Sequence, residues 1–306
     1  MSNDNYEELQ QDCVRPMISC ENLVKIYKTS EIEVVALQGL DLSIEKGELM
    51  AIIGNSGSGK STLLNMLGGL DTPSAGNLYV DNKNIQKLKP REFINYKRET
   101  VGFVWQNNAR NLIPYLTAKE NIEMPFILSG NKPKYSAIEL LEMVGLSDKR
   151  NSKLYDLSGG QQQRIAIAIG VANNPKVLLA DEPTGAVDTK TTKEIFNVFH
   201  QINDTLGTTI VIVTHDKLIT KLVNRVVSIK DGKIGTEMHR KSYSEVIQEL
   251  DSESIDMLLT HDEFSIVDKS GRVQIPQSFI QALDIKQASK LKMELKDKQI
   301  IVSLPE

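Results

Sequence analysis

Gly54-Asn55-Ser56-Gly57-Ser58-Gly59-Lys60-Ser61 fits the pattern G-x-x-x-x-G-K-[ST], follows the apolar run Leu49–Ile53 and leads into the helical run Thr62–Leu67. Strand, glycine loop and helix in that order make a phosphate cradle. The glycines let backbone N–H groups converge on phosphate oxygens. The helix that follows aims its N-terminal partial positive charge at the same anion. Lys60 adds a full charge near the β- and γ-phosphates, and the Ser61 hydroxyl suits Mg2+, which takes few protein ligands and keeps several waters. Gly54 to Thr62 are thus expected to hold the phosphates of a nucleotide with Mg2+.

A second chemical signal lies downstream. Val177–Ala180 is an apolar strand that ends in Asp181-Glu182. Acids at the C-terminal end of a buried parallel strand are expected beside the phosphate loop of the neighbouring strand. Asp181 is then placed to hold Mg2+ directly or through water, and Glu182 to polarise an attacking water as general base. Further short apolar runs, Ile18–Ile26, Leu40–Ile44, Val101–Trp105, Thr209–Thr214 and Arg225–Ile229, alternate with longer helix-like stretches up to about Gly235. Lys230-Asp231-Gly232-Lys233 reads as a hairpin turn. Apolar strands interleaved with helices imply an α/β layer with a mostly parallel core.

Composition narrows the class. The 306 residues carry 36 Lys+Arg against 40 Asp+Glu, a net charge of −4, with 25% charged and 40% hydrophobic residues, as in ordinary globular chains. No basic excess exists for chain-wide nucleic-acid binding. No apolar run approaches the roughly 20 residues of a membrane-spanning helix. The acidic stretch Met1–Asp12 lacks the apolar core of a signal peptide, and two cysteines, Cys13 and Cys20, in no metal-binding spacing fit ordinary thiols in a reducing cytoplasm.

Between the two phosphate-site signals, Leu157-Ser158-Gly159-Gly160-Gln161 opens an apolar helix. This pentapeptide resembles the signature motif of ABC-type ATPases, and further parts line up in order. Gln106 after Val101–Trp105 is similar to the Q-loop glutamine, Gly185-Ala186-Val187-Asp188 to the D-loop with Val187 in place of leucine, His215 after Thr209–Thr214 to the switch histidine, and Tyr27 to the aromatic residue that stacks on adenine. The resemblance implies a P-loop NTPase fold of ABC type, a parallel-sheet core with antiparallel β and α-helical subdomains. It also implies ATP as the nucleotide, bound between two copies that meet head to tail. Ser158, Gly159, Gly160 and Gln161 would cap the γ-phosphate held by the other copy, with Asp188 at the same interface. Gln106 would join the metal and γ-phosphate to the helical subdomain, and His215 would position the γ-phosphate or the water.

Only 98 positions separate Lys60 from Ser158, without heptads, and one set of motifs is present. That spacing disfavours a coiled-coil DNA-repair ATPase, and the single set disfavours a tandem ribosome-acting protein. A transporter ATPase subunit fits, placed in the cytoplasm, peripheral on the inner face of the membrane, with a separate permease. Leu67–Gly76 and Leu116–Pro125 resemble the lipoprotein-release, macrolide- and peptide-efflux branch. Trp105–Leu112 departs from the commoner Phe-Gln form in the region expected to meet the permease; Trp105 itself is either strand core or docking surface. The alternative is an ATP-dependent regulator without transport, gating cell-wall enzymes or linked to DNA through its C-terminal part.

The chain is divided into a polar tail (1–16), a nucleotide-binding domain (17–240), an acidic connector (241–263) and a C-terminal module (264–306). The connector holds seven acids and one Lys, with Tyr243, Val246, Ile247 and Leu250 on one helical face. In the last module, Phe264–Val267, Arg272–Ile275, Leu291–Leu295 and Ile300–Leu304 read as strands and Ser278–Leu283 as a short helix. Val267–Pro276 followed by Leu283-Asp284-Ile285 resembles the AbrB-type swapped hairpin, a small β-rich fold that forms intertwined dimers and usually binds DNA. Phe279, Ile280 and Gln281 stand where that family carries basic residues, and Asp284 where it carries Gly. Seven basic residues against five acids leave little to neutralise phosphates, so dimerisation or regulation is expected over DNA binding. About 43 residues bury too little to stand alone.

Overall fold

The computed structural model describes residues 16–28, 32–106, 111–130, 132–185, 187–216, 219, 221–240, 261–267, 271–273, 275–285 and 290–304. The tail up to residue 15, Cys13 included, Asn107–Arg110, Ala186 and the expected connector helix after Tyr243 lie outside them.

In chain order the strands are β1 (Ile18–Lys28), β2 (Glu33–Ile44), β3 (Leu49–Ile53), β4 (Ala75–Val80), β5 (Lys83–Asn84), β6 (Val101–Val104), β7 (Val177–Asp181), β8 (Thr209–Thr214), β9 (Arg225–Lys230), β10 (Lys233–Arg240), β11 (His261–Ser265), β12 (Lys292–Lys296) and β13 (Gln299–Ser303). The helices are α1 (Lys60–Leu67), α2 (Pro90–Asn95), α3 (Ala118–Ser129), α4 (Ala137–Met143), α5 (Gly159–Val171), α6 (Thr189–Leu206) and α7 (Gln277–Ala282).

The main sheet has the order β11-β10-β9-β3-β8-β7-β6. Its centre is parallel, with β3 paired to β8 and β9, and β7 paired to β6 and β8. These strands are apolar at nearly every position because both faces are covered. Alternation sorts the side chains. Leu49, Ala51, Leu178, Ala180, Ile210 and Ile212 enter one core with α3 to α6. Met50, Ile52, Leu179, Val211, Val213 and Val227 enter the other, with α1 and the antiparallel sheet β2-β1-β4-β5. Each fully buried Leu or Ile contributes roughly 1.5–3 kcal/mol of transfer free energy.

The helices start where their sequences say they should. Capping boxes at Thr117/Glu120, Ser136/Glu139 and Ser158/Gln161 satisfy the first N–H groups of α3, α4 and α5. Asp188 caps α6, whose buried face, Thr192, Ile195, Phe196, Phe199 and Ile202, has helical spacing, and which stops at Gly207 with φ 66°.

Four expectations change. A strand, β8, stands between β3 and β7, so the Asp181 strand is not the neighbour of the phosphate-loop strand. Both strand ends nonetheless reach one level, because Ile53 pairs with Thr214 and Asp181 with Val213 on the two sides of β8. Strand β2 begins at Glu33, seven residues before the expected start; its first half includes the apolar run Val34–Leu37, of which Val34 and Val35 are exposed. Strand β11 begins at His261 and pairs with β10 from Thr236 to Arg240, so the division at 263/264 falls inside an element of the main sheet. Of the expected strand Arg272–Ile275, the described residues show a single bridge, Val267 to Val273, and Gln274 lies outside them. The turn at Asp231-Gly232 has φ of 50° and 72°, as a two-residue hairpin needs.

Candidate active site

The phosphate loop runs from β3 into α1. Gly59, just before the helix, has φ +106°, and a Cβ there would lie 2.5 Å from the Ala36 carbonyl oxygen and 2.7 Å from Leu37 Cδ2. Only glycine fits, on both counts. Lys60 is 7% exposed and its Nζ donates to the carbonyls of Gly54 (2.8 Å) and Asn55 (3.0 Å), which holds the charge inside the loop. Ser58 Oγ is buried without a hydrogen-bond partner among the described residues. A buried hydroxyl is costly to leave unpaired, and a phosphate oxygen is a partner of the right chemistry. Asn55, Ser56 and Gly57 are exposed at the loop tip.

Across β8, the Ser61 hydroxyl donates to Asp181 Oδ1 at 3.4 Å. A hydroxyl and a carboxylate side by side are hard oxygen donors, few in number, which fits Mg2+. Glu182 follows with φ +46°, a region in which a long side chain rarely sits, fixed by its N–H donating to the Val213 carbonyl at 2.8 Å. Its Oε1 lies 2.8 Å from His215 Nδ1, and its Oε2 accepts from Thr214 Oγ1 at 3.0 Å. Thr214 in turn accepts from the Asp216 N–H at 3.1 Å, so its own proton is directed at the carboxylate. Sequence reasoning passed over Thr214; a polar residue closing an otherwise apolar strand, next to His215, was the available signal. Gln106 stands exposed past the end of β6, and a Cβ on Gly185 would lie 3.9 Å from its amide nitrogen. Lys60, Ser61, Asp181, Glu182, Gln106 and His215 thus gather at the C-terminal edge of the parallel strands.

The other expected residues sit elsewhere. Ser158 caps α5, accepting from the Gln161 N–H, while Gln161 Oε1 accepts from the Ser158 N–H. Gly160 packs on Thr191, whose hydroxyl donates to Asp188 Oδ2 at 2.8 Å. Asp188 is therefore a helix cap in this copy; hydrogen bonds from the Thr191 N–H and hydroxyl hold its carboxyl below the usual range. Tyr27 stands near the end of β1, 41% exposed, with its hydroxyl donating to Asp71 Oδ2 at 2.7 Å. Trp105 lies one residue past β6 and is half-buried, with its ring stacked 3.9 Å from Phe103.

The sequence matches the family model described as ABC transporter over residues 37–185. It is 42% identical over 236 residues to MJ0796 of Methanocaldococcus jannaschii, described as an uncharacterized ABC transporter ATP-binding protein, covering 75% of this chain and all of that one. It is 41% identical over 238 residues to the macrolide export ATP-binding/permease protein MacB of Burkholderia lata, covering 77% of this chain and 34% of MacB. Among solved structures, a dimer of MJ0796 in a post-hydrolysis state bound to ADP and Pi matches with a TM-score of 0.66 at 41% identity, over 74% of this chain and all of that one.

Proposed function

The chain belongs to the ABC transporter family and is the ATP-binding, ATP-hydrolysing subunit of such a transporter, and from that premise we propose that two copies close head to tail around two ATPs and drive a separate membrane permease of the lipoprotein-release or macrolide-export kind. The observation that carries this is the gathering of Lys60, Ser61, Asp181, Glu182 and His215 on one sheet edge, with the signature residues presented separately on α5. A site split in this way suits a nucleotide held between copies, and the ADP- and Pi-bound dimer of MJ0796 supports it.

In this reading the loop amides and Lys60 hold the β- and γ-phosphates, and the Tyr27 ring stacks on adenine. Ser61, Asp181 and Gln106 would hold Mg2+, which when bound neutralises phosphate charge. Glu182 accepts a proton from the water that attacks the γ-phosphorus in line, and the bond to the β-phosphate oxygen breaks to leave ADP. His215 orients the carboxylate and the γ-phosphate. From the other copy, Ser158 to Gln161 cap the γ-phosphate with a helix N-terminus, with Asp188 at the same seam. Hydrolysis removes the anion that bridges the copies, and they part.

Among the described residues no helix is long and apolar enough to cross a membrane; in our reading the permease is a separate chain and this subunit works on the inner membrane face. Residues 264–306 we read as an AbrB-like pairing module. In a single copy Phe279, Leu283, Met293, Leu295 and Ile300 are exposed, which a second copy would cover. The test is purification of Glu182→Gln protein from membranes with ATP. Recovery as a dimer with an integral-membrane chain of several transmembrane helices is expected. Recovery as a monomer free of any membrane chain, or bound to DNA, points to the regulator alternative.

A further inference from the structure

Tyr27 is held in place before any nucleotide arrives. Its hydroxyl donates to Asp71 Oδ2 at 2.7 Å, while Lys25 Nζ lies 4.8 Å from the ring centroid. Lys25 and Tyr27 are two apart on β1, on the same face of the strand. Asp71 is itself pinned. Its Oδ1 accepts from Lys25 Nζ at 2.5 Å and from the Thr72 N–H at 2.7 Å, and Lys25 donates a second bond to the Thr72 carbonyl at 2.8 Å. The turn after α1 folds back so that the Leu70 and Asp71 N–H groups reach the Asn65 carbonyl, which sets Asp71 beside the helix whose first turn carries Thr62. The Lys25 and Asp71 side chains are 11% and 24% exposed. The pair is therefore far better shielded than a surface ion pair. Partial burial works to raise the Asp71 carboxyl, but the bonds from Lys25, Tyr27 and Thr72 outweigh it and hold it below the usual carboxylate range.

We infer that Asp71, fixed by Lys25, is a positioning residue for the Tyr27 ring and so sets how tightly the purine of the bound nucleotide is held. The inference rests on the reading that Tyr27 stacks on adenine. A ring at an exposed strand end is otherwise free to turn about two side-chain bonds. Anchoring its hydroxyl to a carboxylate and its π face to a cation removes that freedom in advance, and preorganisation of this kind appears as affinity. The phosphates are gripped by other groups, so the effect is confined to the base.

The test is titration of the full chain with Mg·ATP and, separately, with Mg·tripolyphosphate, which has the phosphates and no base. Asp71→Asn and Tyr27→Phe are expected to weaken ATP about 3- to 10-fold and to leave tripolyphosphate unchanged. Asp71→Asn added to Tyr27→Ala should weaken ATP no further than Tyr27→Ala alone, since the two act through one ring. If Asp71→Asn does not fold, Lys25→Met with Asp71→Leu removes both charges and leaves no buried ion unpaired, and the same expectations hold. If Tyr27→Ala weakens ATP while the Asp71 variants bind it normally, the positioning role is overturned. Equal loss of tripolyphosphate in the Asp71 variants also overturns it, because Asp71 would then act on the phosphate loop. Unchanged ATP affinity in Tyr27→Ala removes the stacking reading itself.

Discussion

His215 Nδ1 lies 2.8 Å from Glu182 Oε1, and the other carboxylate oxygen is held by the Thr214 hydroxyl at 3.0 Å. Glu182 is thereby held at both oxygens on a backbone of φ +46°, a conformation that costs about 1–3 kcal/mol and is retained because its N–H is bound to the Val213 carbonyl. A carboxylate fixed so firmly beside the phosphate loop is placed to take a proton in a defined direction. Glu182→Gln keeps the shape and removes the base. Turnover should fall by about 10²- to 10⁴-fold, ATP binding should persist, and the protein should accumulate as an ATP-bound dimer in light scattering. A variant with more than about a tenth of wild-type turnover would contradict a base role of the expected size.

Lys60 makes a different prediction. Its ammonium is already seated on the Gly54 and Asn55 carbonyls inside the loop, so Lys60→Ala removes the charge without moving a flexible arm. Nucleotide affinity itself should fall, measured as a raised dissociation constant for Mg·ATP. Loss of turnover at unchanged affinity would mean that the lysine does not contribute to ground-state phosphate binding.

The contrast between these residues shows what was legible. Lys60 and its glycines are readable in sequence because the requirement is local: one turn, one helix start, one charge. Asp181, Glu182 and His215 are readable because each follows an apolar strand in a fixed order. The insertion of β8 between β3 and β7 is set by strand order across the sheet, and adjacent sequence carries no mark of it. Asp71 is in the same position: its partners Lys25 and Tyr27 are more than 40 residues away, so an acid in a glycine-rich turn reads as solvated. The pairing of β11 with β10 escaped because His261–Ser265 carries no apolar run, whereas the first half of β2 was passed over although Val34–Leu37 is one.

Arg225 yields a prediction about acid. It donates to Glu237 Oε1 at 2.6 Å, to Glu48 at 3.1 Å and to the Ser43 carbonyl at 2.8 Å, tying β9 to β10 and to both ends of the turn between β2 and β3, and His239 Nε2 also lies 2.6 Å from Glu237. Partial burial raises the Glu237 carboxyl, but Arg225, aided by His239, outweighs it and holds the group below the ordinary carboxylate range. A lowered folded value means stability that is fully present above the unfolded pKa of about 4.3 and is lost as pH falls through the folded one. Glu237→Gln should therefore cost about 1–2 kcal/mol at pH 7 after solvent screening, seen as a lower melting temperature. The difference from wild type should shrink as pH drops below about 4. A difference independent of pH would mean that the carboxylate charge is not what stabilises this corner.

The C-terminal module is best tested by a cut that respects the sheet. Because β11 covers the edge of β10 and the Ile266 N–H still reaches the Gly235 carbonyl, removal of residues 262–306 would bare an edge strand and invite association of its own. Ending the chain after Ile266 keeps that edge covered and removes the exposed Phe279, Leu283, Met293, Leu295 and Ile300. In the Glu182→Gln background, the full chain should be dimeric by light scattering without ATP, and the chain ending at Ile266 should be monomeric until ATP is added. A constitutive pair would hold the two ATPase sites at a high local concentration, so the full chain should also close at lower ATP than the shortened one. Two monomers that both wait for ATP would show that the module does not pair with itself, and that its apolar residues await a different surface.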